Sequence, residues 1–205
     1  MASRVEGFDE KILLCAKEEF LEKGYADASL RTIAQNAGVS TSTIYTRYSD
    51  KEGLFRFLVE PAAEGLKELI RSSLTEFSSL TAQEQKEAYG EYSDQGFPGV
   101  IDYIYEYFAE FKLLITGSPG TVCQDFLESL VKLDTECMKA FLKSVGSRAW
   151  AEGRITEGFL HVVSSAFYSG IFEVVIHDMT IEDAGKYLNE LRTFYGNGWK
   201  EYFKN

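Results

Sequence analysis

The sequence predicts an all-α protein. Apolar residues recur at three- and four-residue spacing through most of the 205-residue chain. Only Pro61, Pro98 and Pro119 interrupt that pattern as prolines. No segment alternates apolar and polar residues over a length useful to a strand. Hydrophobic residues make up 45% of the chain, ordinary for a globular domain, and the length suffices for one large or two small cores.

The first helix is expected from about Phe8 to Lys23, with Ile12, Ala16 and Phe20 on its core stripe, Leu13 beside them and Gly24 as its stop. In the second, Leu30, Ile33, Ala34 and Ala37 fall at i, i+3, i+4 and i+7. Ser29 is a suitable N-cap and Gly38 a suitable left-handed C-terminal residue. Ala34 and Gly38 are small enough for another helix to cross closely. After the Gly-Val-Ser turn, Ser40 or Thr41 caps a third helix. There Ile44 and Tyr48 face inward, and Thr41, Ser42, Tyr45, Thr46 and Arg47 remain outside. Ser49-Asp-Lys-Glu52 predicts a capping box. It opens a fourth helix from near Lys51 to about Leu80, kinked at Pro61. Two short helices around a tight turn, followed by a third, form the layout of a helix-turn-helix DNA reader. Hydrogen-bonding side chains on the N-terminal half of the second of them are placed to read a major groove. Lys51 and the free N–H groups of the next helix suit a phosphate.

Beyond residue 80 the pattern is less regular. A short helix is expected over Gln83–Tyr89, then a loop through Ser93-Asp94-Gln95-Gly96. An aromatic-rich helix should start at Phe97 or Val100 and end near Ile115, and Gly117-Ser-Pro-Gly120 breaks it. The amphipathic stretch from about Val122 to Val145 carries Phe126, Leu130, Leu133, Cys137 and Phe141 at helical spacing. Arg148 to Thr156 reads as a second break. The last helices are expected over about Glu157–His177 and Ile181–Phe203. The former is apolar on most faces, which is most simply explained by one side in its own core and the other in a partner subunit.

Net charge is −11, unusual for a DNA binder. The excess is unevenly spread. Between Ala28 and Arg56, Arg31, Arg47, Lys51 and Arg56 outnumber Asp50 and Glu52, leaving this stretch at +2 and the remainder at −13. Attraction to DNA should therefore be local and non-specific binding weak. Cys15, Cys123 and Cys137 are odd in number and lie at no metal-ligand spacing, which fits reduced thiols. The N-terminus lacks a signal-peptide core, and no apolar run approaches the ~18 residues of a membrane span. A cytoplasmic, non-membrane protein with no cofactor and no metal is expected.

Residues from about Phe8 to Phe57 resemble the N-terminal domain of the TetR family of bacterial transcriptional regulators. Ile12, Ala16, Phe20, Gly24-Tyr25, Ser29-Leu30-Arg31, Ile33-Ala34, Ala37-Gly38-Val39-Ser40, Thr43-Ile44-Tyr45, Tyr48, Lys51-Glu52 and Leu54-Phe55 carry the resemblance. It implies a helix-turn-helix DNA-binding domain over 1–50 and a helical ligand-binding and dimerisation domain over 51–205. The DNA-binding set it implies is Arg31, Ser40, Thr41, Ser42, Thr43, Tyr45, Thr46, Arg47 and Lys51. Arg31, Thr41, Ser42, Thr46 and Arg47 match positions that meet bases, whereas Thr43, Tyr45 and Lys51 match positions that meet phosphate. The family often has a basic residue where Thr41 stands and a glycine where Ser42 stands. That departure leaves Arg31 and Arg47 as the guanine readers.

The resemblance also implies a homodimer built on the last two helices, here with Phe159, Val163, Ala166, Gly170, Val174, Leu188, Leu191 and Tyr195 at the interface. Two-fold symmetry asks for near-palindromic double-stranded operator DNA. A small-molecule effector should fit an aromatic-lined cavity, with Tyr103, Tyr107, Phe111, Phe126, Phe167 and Tyr168 as its expected walls and Phe97, Trp150 and Phe172 as further aromatics. Polar candidates on those helices are Asp102, Glu110, His161 and His177. The leading reading is a repressor released by a small apolar or aromatic ligand. An all-α enzyme and a redox- or protein-responsive regulator are the alternatives. With two histidines and no catalytic motif, an enzyme is not expected.

Overall fold

A computed structural model describes the backbone of residues 2–203 and the side chains of residues 9–89, 99–199 and 202. Among them are ten helices and no strand: α1 Ala2–Asp27, α2 Leu30–Ala37, α3 Thr41–Tyr48, α4 Lys51–Ser79, α5 Ala82–Glu106, α6 Phe108–Gly117, α7 Val122–Ser144, α8 Arg148–Ala151, α9 Glu157–Ile176 and α10 Ile181–Phe203. They divide into two compact units. One comprises Met1–Glu64 and Tyr107–Cys123, the other Gly65–Glu106 and Gln124–Asn205.

In the first unit, Ile12, Phe20, Ile33, Ile44, Leu54 and Phe55 are almost wholly buried. Phe55 meets the edges of Phe20 and Tyr25 at ring separations of 5.3 and 5.4 Å. This core is what keeps α2 and α3 helical, since eight residues are too few to hold a helix alone. Gly24 interrupts α1 with φ 73° and ψ 164°, as its place at the end of the apolar stripe predicts. Ser29 accepts from the Thr32 N–H, and Gly38 closes α2 at φ 72°. α6 joins this unit by burying Phe111 and Leu114 and by a 2.6 Å ion pair from Glu110 to Lys17 of α1.

The start of α4 differs from expectation. Ser49 is spent in ending α3: its φ is 69° and its N–H donates to the Tyr45 carbonyl at 3.0 Å. That backbone is not the extended one an N-cap needs. Asp50 caps instead, its Oδ1 accepting from the Gly53 N–H at 2.7 Å, and Glu52 pairs with Arg56 at 2.9 Å. α4 is one helix through Pro61, and the division between the units falls at Glu64–Gly65, just beyond it.

The second unit corrects the reading of residues 81–115. The segment expected as a loop at 93–96 has helical backbone within α5, despite its turn-like composition. A capping box does occur at the N-terminus of α5. Thr81 donates to Glu84 from both its N–H and its hydroxyl, and those bonds hold the Glu84 carboxyl below its usual range. Buried Gln85 donates to the Phe77 carbonyl at 3.0 Å. The break comes at Tyr107, with φ −112° and ψ 33°. Within the supposed break after α7, Ser147 caps the short α8 and donates to the Tyr202 carbonyl at 3.1 Å. Leu142, Ala149, Ile155, Leu160 and Trp199 form one core cluster, and Phe77, Phe141 and Val145 another.

α9 is long and apolar enough to cross a membrane by length and composition, contrary to the expectation of no such run. One face, including Leu160, Tyr168, Ile171, Phe172 and Val175, is buried in this unit.

Phe55→Ala should lower the unfolding free energy by about 3–5 kcal/mol through the cavity it leaves. Phe57→Ala, at a side chain 55% exposed that only edges against Tyr48, should cost about 1 kcal/mol or less. Denaturant titration of both variants checks the contrast.

Candidate nucleic-acid interface and ligand cavity

The floor of the interface is apolar: Ile33, Ala34 and Ala37 of α2 and Ile44 and Tyr48 of α3 are buried. With Ile44 and Tyr48 turned inward, helical period leaves Ser42, Tyr45 and Thr46 exposed and Thr41 and Thr43 half-exposed. Ser40 caps α3 by accepting from the Thr43 N–H at 3.2 Å. Its hydroxyl also lies 2.7 Å from that of Ser42 and 2.9 Å from that of Thr43. Thr46 donates to the Ser42 carbonyl at 2.8 Å. Arg31 projects from α2 as an exposed side chain.

The other two cations are occupied. Arg47 pairs with Asp9 of α1, and the Tyr48 hydroxyl donates to the same Asp9 oxygen at 3.2 Å. Burial raises the Tyr48 phenol pKa, which keeps that donor protonated. Lys51 donates to the carbonyls of Ala26 and Ala28, both at 2.9 Å. It also lies 4.8 Å from the centre of the Tyr25 ring. Lys51 thus ties the end of α1 to the start of α4. Asp9 was invisible to sequence reasoning, because it stands 38 residues from Arg47 and no local pattern joins them.

The second unit carries a half-open cavity of ≈ 210 Å³ among α4, α5, α7, α9 and α10. Phe167 and Tyr168 line it, together with Phe77, Tyr89, Phe141, Tyr195 and Trp199. The other expected wall residues lie elsewhere. Tyr103 rests its hydroxyl against Gly65, where any Cβ would collide with it. Phe126 packs edge-on against Phe172 at 5.6 Å. Tyr107 and the fully buried Phe111 belong to the other unit. The side chain of Phe97 lies outside the described residues. Of the polar candidates, Glu110 is taken by Lys17, Asp102 is exposed, and His161 and His177 sit at the surface near Glu128 and Glu173.

Asp134 is the polar wall that sequence reasoning missed. It stands on α7 four residues after Leu130 and seven before Phe141, both buried, so its place on the apolar stripe was the available signal. The Ser164 hydroxyl donates to its Oδ2. Burial raises the Asp134 pKa, and the Ser164 bond works against that rise. Burial first, then the nearby Asp134 and Cys137, pushes the Tyr89 and Tyr168 phenols well above their ordinary value.

Of the expected interface residues on α9 and α10, Phe159 is 37% exposed and Ala166 is exposed. Val162, at 64%, extends their stripe. Val163, Gly170, Leu191 and Tyr195 are half-buried. Gly170 lies close against Leu191 and its carbonyl accepts from the Tyr187 hydroxyl at 3.0 Å. Val174 and Leu188 have no exposed surface, being packed in their own unit, and are not available to a partner.

Residues 12–58 match the family described as bacterial regulatory proteins, tetR family. Solved structures share the fold. A Mesorhizobium loti protein classed as a TetR-family transcriptional regulator is similar at 19% identity, over 92% of this chain and 94% of its own, with a TM-score of 0.58. The TetR-family regulator PfmR of Thermus thermophilus is similar at 19% identity, over 89% and 97%, with a TM-score of 0.56. NalD of Pseudomonas aeruginosa, the secondary repressor of the MexAB-OprM multidrug efflux pump, is similar at 22% identity, over 94% and 97%, with a TM-score of 0.53.

Lys51→Ala should lower stability by ~1–3 kcal/mol without any DNA present, because two carbonyls lose a charged donor. A lysine used only for phosphate would leave thermal unfolding of the free protein unchanged.

Proposed function

We propose that this chain, a member of the TetR family through its N-terminal domain and its fold, is a homodimeric repressor. It binds a near-palindromic operator and releases it when a small apolar or aromatic molecule occupies the cavity. The observation that carries the reading is the polar outer row of α3 over its buried Ile44 and Tyr48 floor. On this reading Thr41, Ser42 and Thr46 meet base edges, with Arg31 reaching from α2. Ser40, Thr43, Tyr45 and Lys51 meet phosphates. Arg47 reads guanine by exchanging Asp9 for O6 and N7.

The exposed stripe of Phe159, Val162 and Ala166 on α9 and the 76%-exposed Phe194 on α10 support a two-fold apolar interface. Such a dimer presents two α3 helices to two half-sites. Repression is the sign carried by NalD, a protein of the same fold. Ligand and DNA then oppose each other by linkage, each weakening the other by one common factor, typically 5- to 150-fold. α4 contributes to both units, and Pro61 is its hinge. Burial raises the pKa of the Cys123 and Cys137 thiols, which makes them poor redox sensors.

Arg47→Ala should cost ~1–3 kcal/mol on the operator and relax preference at one base pair. Anisotropy titrations of operator variants and a scrambled duplex decide it: an equal loss on both removes Arg47 from base reading. Val162→Glu should convert the dimer to monomer in sedimentation and weaken operator binding. An unchanged dimer would move the interface away from α9.

A further inference from the structure

The cavity holds a carboxylate that pairs with no cation among the described residues. Asp134 takes one hydrogen bond, from Ser164 to Oδ2. Among the described residues, no lysine, arginine or histidine pairs with it, and its Oδ1 accepts nothing. Arg192 also borders the cavity, but its guanidinium donates to Asn189 at 2.7 Å and is not among the groups that act on Asp134. Tyr168, 5% exposed and bordering the same cavity, makes no hydrogen bond through its hydroxyl with the described residues. Asp134 is half-buried and Tyr168 buried, and the acceptor capacity of both is left for a guest in the cavity.

The rest of the wall is aromatic. Phe77 and Phe141 meet edge to face at 5.2 Å, Tyr89 stacks on Phe141 at 5.3 Å, and Phe167 meets Tyr195 at 5.1 Å. Ring faces beside a carboxylate favour a cation with an apolar body over a neutral or anionic guest. Hydrogen-bond demand narrows the cation further. An ammonium has three N–H donors, enough for Asp134 Oδ1 and the Tyr168 oxygen. A quaternary nitrogen has none. The ≈ 210 Å³ of space is below the ~300–1,000 Å³ usual for drug-sized guests.

We infer that the cavity takes a small protonated amine with an aromatic or aliphatic body, its ammonium on Asp134 and Tyr168 and its body against Phe77, Phe141 and Phe167. This rests on the reading of the cavity as the effector site and assigns the effector's chemical class. Asp134 supplies the charge and one acceptor. Tyr168 supplies the second acceptor and fixes where the nitrogen sits. The aromatic walls lower the local dielectric and so strengthen both contacts.

The test is isothermal titration of the full chain with phenethylamine and with propylbenzene, which replaces the ammonium by a methyl group. Wild type should prefer the amine by roughly ten- to hundredfold. Asp134→Asn should remove that preference and keep the hydrocarbon's affinity, and Tyr168→Phe should reduce it. Equal binding of the two compounds by wild type overturns the assignment, as does binding of neither or a preference that survives Asp134→Asn. The wild-type comparison stands even if a variant misfolds. Operator binding by the ligand-free protein is measured separately. A chain that binds the amine but no DNA therefore refutes the regulator reading alone, and one that binds DNA but no amine refutes the assignment alone.

Discussion

Everything at the proposed DNA interface depends on the burial of Ile44 and Tyr48 beneath an eight-residue helix. α3 cannot stay helical by itself, and neither can α2. They persist because Ile33, Ala34, Ile44 and Tyr48 share one core with Ile12 and Phe20 of α1 and Leu54 and Phe55 of α4. The same burial fixes the rotation of α3 about its axis. Once two residues four apart point inward, the polar row between them has one direction to face. A reader of this kind is specified by its apolar side, and the polar side inherits its geometry.

The cations bear a second constraint. In an acidic protein the reader has few positive charges, and two of them already have work in the free chain. Arg47 is held by Asp9, and Lys51 holds the carbonyls of Ala26 and Ala28. In the proposed function, contact with DNA competes with those bonds, and Arg47 turns to a base only at a site that offers a better partner than Asp9. The proposed competition would suppress non-specific attraction, in keeping with a chain of net charge −11.

Local signals in the sequence located most of the helices. Ser29, Gly38, Ser40 and Gly24 mark ends because each satisfies or breaks the backbone at its own position. The misreadings fall where residue type alone admits two backbone conformations. Ser49 looked like an N-cap, but its φ of 69° belongs to the end of α3. Residues 93–96 looked like a loop, yet they lie inside α5. For the cavity, composition promised aromatic walls without saying which. Phe167 and Tyr168 line it, whereas Tyr103 is spent on a close approach to Gly65 and Phe111 on the core of the other unit. Asp134 was legible as an acid on an apolar stripe, but its place in the cavity wall beside Ser164 became visible only with α9 in place. One side of α9 enters the core, and the exposed Phe159 and Val162 on the other are the face proposed for a partner.

The proposed function stands on sequence-specific DNA binding by α3. The most direct measurement is fluorescence anisotropy of the ligand-free protein with duplex DNA from immediately upstream of its own gene, beside a scrambled duplex, at two salt concentrations. Tight binding to the upstream duplex, little to the scrambled one, and a steep loss of affinity as salt rises are the expected results. Weak and equal binding to both duplexes, insensitive to salt, would contradict the claim.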